Sequence, residues 1–153
     1  MKYLLPFAAA ALLAACNTAG RPENTDNQAA SLPETSSLAP HDWRVVTSWI
    51  HRSHGTMSIL YGNPAAVARA RNGAPYSEGA RLSLVTWKRV PDDRWFGAYI
   101  PGDVVSVEEV AVAADAPAYT KYEGQSLKKA AAAPEEATKR AAYILAQHAS
   151  IVP

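Results

Sequence analysis

The chain has 153 residues, 48% of them hydrophobic, and its 15 Lys+Arg against 14 Asp+Glu leave a formal charge of +1 at pH 7. That balance excludes the basic surface of a nucleic-acid-binding protein, and the apolar content excludes a wholly disordered chain. A single cysteine excludes an internal disulfide, a thiolate metal cluster and the C-x-x-C-H site through which haem is attached covalently.

Lys2 precedes an apolar run from Leu4 to Leu13, shorter than the about 20 residues of a membrane-crossing helix. Leu13-Ala14-Ala15-Cys16 closes the run with two small residues before the cysteine. The pattern is that of a signal peptide over residues 1–15, and it resembles the bacterial lipoprotein signal. That resemblance implies cleavage before Cys16, a diacylglycerol on its thiol and a further acyl chain, such as palmitate, on the new amino group. Several acyl chains form a lasting membrane anchor where one gives only marginal binding. Asn17 stands where an aspartate would resemble an inner-membrane retention signal, so the expected location is the outer membrane, with the domain facing the periplasm or the cell surface. Residues 16–39 lack aromatics and are rich in Asn, Thr, Ser, Pro and Glu, which reads as a lipidated flexible tether. All four tryptophans lie beyond it, and residues 40–153 have the length of one domain.

Within that domain, residues 44–51 are rich in β-branched residues and Trp and read as a strand. Residues 56–61 alternate, with Met57, Ile59 and Tyr61 on one face, and the intervening glycine-containing segment makes the pair a hairpin. Gly62-Asn63-Pro64 then predicts a helix start, with Asn63 as N-cap and Pro64 at the first helical position. The helix covers residues 64–71 and stops at Asn72-Gly73, suited to a left-handed C-cap. A third strand over residues 80–89 carries apolar groups on both faces, which predicts a central position under a helix. Residues 104–112 form the fourth strand, with Glu108 and Glu109 on opposite faces. Residues 118–123 form the fifth, with Tyr119 and Tyr122 on opposite sides. A helix from Pro134 places Glu135 and Glu136 at its positive end, pairs them with Lys139 and Arg140, and aligns Ala137, Ala141, Ile144, Leu145 and His148 along one face. The expected fold is α+β, a single antiparallel sheet of about five strands with a short helix after strand 2 and a C-terminal helix packed on the sheet.

The order Trp43-Arg44-Val45-Val46, then Ile59-Leu60-Tyr61-Gly62-Asn63-Pro64, then Ser77-Glu78-Gly79-Ala80-Arg81 running into Trp87-Lys88, resembles the cytochrome P-460 family. The segments around Trp95-Phe96-Gly97 and Tyr122-Glu123-Gly124 are similar to a lipoprotein-type subgroup. The resemblance implies a haem pocket. Family members of known chemistry are periplasmic c-type haem proteins that oxidise hydroxylamine or bind nitric oxide, with C-x-x-C-H near the C-terminus and, in the enzyme, a lysine crosslinked to the haem. Here the C-terminal helix offers Ala141-Ala142-Tyr143-Ile144 instead, so covalent attachment is excluded.

Non-covalent haem would need an axial histidine. The candidates are His41, His51, His54 and His148, with His54 and His148 foremost, and Lys88 lies on a strand comparable to that of the crosslinking lysine. Without such a role, His148 is a histidine near a helix C-terminus, where its charge is favourable. His51 and His54 read as a solvated turn before they read as zinc ligands, because acidic or cysteine partners at fixed spacing are missing. Trp95, Phe96 and Tyr99 fall on a connection that can either close an apolar pocket or cover the sheet. No serine nucleophile with base and orienter, no paired-carboxylate motif and no phosphate loop stands out, so no catalytic residue and no metal site is assigned. Two function classes follow: a small-ligand-binding or structural module held to the membrane by its lipid, with no resident cofactor, or a haem-dependent oxidoreductase acting on hydroxylamine or nitric oxide through non-covalent haem.

Overall fold

β1 (Arg44–His51) runs into a 3-10 turn, Arg52–His54, and returns as β2 (Thr56–Gly62). Gly55 closes the turn at φ 63°, a left-handed conformation that glycine adopts without strain. The computed structural model describes residues 26–33, 38 and 42–150; the signal segment, Cys16 and His41 lie outside the described residues.

α1 (Pro64–Arg71) begins where the sequence predicts. Asn63 Oδ1 accepts from the Ala66 amide at 3.0 Å and from the Arg81 amide at 3.1 Å, while its Nδ2 donates to the Gly79 carbonyl at 2.9 Å. One side chain therefore caps the helix and ties it to the opening of the next strand, which explains the Gly-Asn followed by Glu-Gly pattern. Gly62 suits the close packing here: a Cβ would lie 3.0 Å from the Ala66 Cβ and 3.1 Å from Val46 Cγ2, so both neighbours would have to shift.

β3 (Arg81–Pro91), β4 (Tyr99–Ala111), β5 (Ala118–Glu123) and β6 (Lys128–Ala130) complete an antiparallel sheet in the order β1-β2-β3-β4-β5-β6. β6 adds a strand to the expected five, and β4 starts earlier than residue 104 because residues 99–101 pair with 89–91. α2 (Pro134–Leu145) follows. Lys139 meets Glu135 at 2.6 Å as predicted, but Arg140 turns inward to the sheet instead of pairing with Glu136.

Apolar groups on both faces of β3 reflect two cores. On the helix side, Leu60, Leu82, Leu84 and Val110 meet Ala66, Val67 and Ala70 of α1 and Ala141 and Ile144 of α2. Val46 joins them where the β1–β2 register shifts, a bulge that turns its side chain inward. On the other side, Val85, Trp87, Val104 and Val107 pack with Leu38 and Leu127. Residues 26–32, placed in the tether by composition, lie on this second face. Ala30 and Leu32 pack against its core, the Trp87 indole donates to the Ala30 carbonyl at 2.9 Å, and Asn27 Nδ2 donates to the Pro101 carbonyl at 2.6 Å. Backbone carbonyls that satisfy a buried indole and a buried hydroxyl, Ser83 to Leu38, hold this polar segment down despite its composition.

Candidate functional site

Strand periodicity of two puts Thr56, Ser58 and Leu60 of β2 on the helix-covered face, with Leu84 and Thr86 of β3 and Ser106 and Glu108 of β4. Register aligns Ser58 with Thr86 and Thr86 with Ser106, and the Ser58 and Thr86 hydroxyls are 2.9 Å apart. One step along, Leu84 pairs with Glu108 and Glu108 with Lys121. The face thus changes from aliphatic beneath the helices to hydroxyl-bearing beyond α2. There a cavity of about 410 Å³ opens between α2 and the β1–β2 hairpin, floored by Ser58, Thr86, Ser106 and Glu108 and walled by Trp49, His51, His54, Arg140 and Tyr143.

Glu108 is the charged centre of the floor and is almost fully buried. Arg140 binds it in a fork, Nε to Oε1 at 2.8 Å and Nη2 to Oε2 at 2.6 Å, and the Tyr119 hydroxyl donates to Oε1 at 2.5 Å. Burial alone would raise the Glu108 carboxyl. The hydrogen bonds from Arg140 and Tyr119, with the charges of Arg140 and Lys121, outweigh it and hold the group below its ordinary value. Burial, then the hydrogen bond to Glu108 and its charge, push the Tyr119 phenol far up, so it stays a donor. Along the wall, the Arg140 guanidinium lies 4.8 Å from the Tyr143 ring centre, and Tyr143 meets Trp49 edge-on at 6.2 Å. The Trp49 indole donates to His51 Nε2, and His51 stacks on His54 at 6.0 Å.

Of the residues singled out in the sequence, His54 reaches the cavity, together with His51. His148 does not: α2 ends at Leu145, so His148 leaves the helical face on which it was expected and is exposed. Lys88 is exposed at the far end of β3, 3.5 Å from Asp103, and is not among the residues lining this cavity. Trp95 and Phe96 project from the β3–β4 turn, 71% and fully exposed, and Tyr99 lies under the Arg89 guanidinium at 4.0 Å; none of the three lines this cavity. The Glu108–Arg140–Tyr119 cluster is what sequence reading missed. Its signal was a carboxylate on the inward face of a Val-rich strand, which demands a cation from whatever packs on it.

A six-stranded antiparallel sheet with two helices on one face and a polar-floored cavity beside the second makes a small single α+β domain. A cytochrome P460 family model matches residues 41–142, two thirds of the chain, and the chain belongs to that family. Among curated proteins no sequence matches it. The family is haem-associated, so the cavity can be tested for fit. A porphyrin needs apolar walls for its two faces and an axial ligand. Here the floor is three hydroxyls and an ion pair. His51 already accepts the Trp49 indole N–H, and His54 is exposed at the rim. The lining fits a small hydrogen-bonding molecule and does not fit the faces of a porphyrin.

Proposed function

We propose that this chain is a lipid-anchored module of the outer membrane, facing the periplasm or the cell surface, whose cytochrome P460 domain has given up covalent haem and uses the remaining cavity to bind a small polar ligand. The observation that carries this reading is the Ser58–Thr86–Ser106 row beside the Glu108–Arg140 pair: hydroxyls can donate or accept, so a ligand's polar groups find partners there without an uncompensated charge being buried. Trp49 and Tyr143 supply an aromatic wall for its apolar part. The anchor rests on Leu13-Ala14-Ala15-Cys16.

Two experiments test it. Native mass spectrometry of the protein purified from the cell envelope is expected to detect a bound small molecule whose occupancy falls in Ser58→Ala/Thr86→Val; equal occupancy in both proteins would count against the cavity as the binding site. Cys16→Ser is expected to abolish acyl labelling and to release the domain from membranes or leave it as precursor. Wild type and variant both soluble in the periplasm would refute the anchor.

A further inference from the structure

The tip of the β3–β4 hairpin carries the most exposed aromatic pair among the described residues. Its backbone bonds are internal: the Trp95 amide donates to the Asp92 carbonyl, the Ala98 amide to the Trp95 carbonyl at 3.0 Å and the Asp92 amide to the Ala98 carbonyl at 3.0 Å, with Gly97 at φ 77°. The turn is closed by its own main chain, and Trp95 and Phe96 stand outward, 71% and fully exposed, with Tyr99 at the start of β4 46% exposed. Burying such side chains in an apolar medium is favourable, and Trp and aromatic residues at a membrane boundary place their rings at headgroup level.

What lies against this tip is indicated by where the N-terminal segment joins the fold. Asn27 is hydrogen-bonded to Pro101, on the hairpin's own arm, five residues and so no more than about 17 Å from Phe96. The eleven peptide steps from Cys16 to Asn27 span at most about 40 Å. An acyl anchor at Cys16 therefore leaves the membrane within reach of the aromatic tip. The charges around the tip balance, Lys88, Arg89 and Arg94 against Asp92, Asp93 and Asp103, so anionic lipid is not what it selects.

Resting on the lipoprotein reading above, we propose that Trp95 and Phe96 form a second membrane contact, inserting into the headgroup boundary of the membrane that carries the lipid anchor and fixing how the domain sits on it. The test uses the mature lipidated protein in phosphatidylcholine vesicles with and without brominated acyl chains, reading tryptophan emission. Bromine is expected to quench the wild type, and Trp95→Phe, an exposed substitution that leaves the fold intact, is expected to remove most of that quenching because Trp43, Trp49 and Trp87 remain in the folded domain. Phe96→Ala is expected to weaken it. Protein that floats with the vesicles but is quenched equally in wild type and Trp95→Phe would overturn the proposal while leaving the anchor in place. Self-association lost in the same variants, with no quenching, would overturn it in favour of a second copy as the occupant. Protein that carries no acyl chain and does not float would overturn the lipoprotein reading and this proposal with it.

Discussion

Glu108 and Glu109 are neighbours in sequence and opposites in chemistry. Glu108 faces α2 and is held low by Arg140 and Tyr119; burial holds Glu109, on the other face, above its ordinary value despite Arg81. The linkage signs follow. Stability from Glu108 is present above the unfolded carboxylate value of about 4.3 and is lost as pH falls through its lower folded value, whereas the raised Glu109 favours the fold at low pH and ceases to as pH rises through its folded value. Urea unfolding followed between pH about 3 and 7 should therefore show Glu108→Gln flattening the acid loss and Glu109→Gln gaining stability at neutral pH. Arg140→Ala should cost about 2–4 kcal/mol, short of the fully buried case because Arg140 keeps 36% of its side chain exposed. Arg140→Lys should recover only part of it, since an ammonium cannot reproduce the fork. A loss below about 0.5 kcal/mol in Arg140→Ala would place this pair with ordinary surface bridges.

At the scale of elements, local punctuation was legible in the sequence and long-range pairing was not. Asn63-Pro64 and Asn72-Gly73 bracket α1 and Ala118–Glu123 is β5, because caps and alternation are written in adjacent residues. β6 was not legible: Lys128–Ala130 has no alternation, and only β5 beside it makes it a strand. Pro101 and Gly102 fall before the expected fourth strand, residues 104–112, yet they belong to β4. Gly102 is needed there because a Cβ would come within 2.8 Å of Val90 Cγ1 across the ladder. Helix α2 gives the sharpest test of docking. Ile144 is 0% exposed, whereas Leu145, expected to be buried beside it, is only half-buried. Ile144→Ala should cost about 2–5 kcal/mol and Leu145→Ala clearly less, measured by thermal or urea unfolding. Equal small losses at both positions would mean that α2 is not docked as described.

For the molecule as a whole, the family and the α+β class were readable from the order of motifs, but the cavity was not, since it is assembled from five strands and a helix whose alignment only the fold supplies. Aromatic clustering in sequence left Trp95, Phe96 and Tyr99 either to close an apolar pocket or to cover the sheet. The pocket instead takes its aromatics from Trp49 and Tyr143, far apart in sequence and 6.2 Å apart in space. On the function proposed above, this P460 domain keeps a cavity for a small polar ligand in place of haem. Titration of the purified protein with haemin, followed in the Soret region, tests it most directly. No saturable one-to-one spectrum is expected; saturable binding with an axial-histidine spectrum that disappears in His51→Ala or His54→Ala would contradict that function.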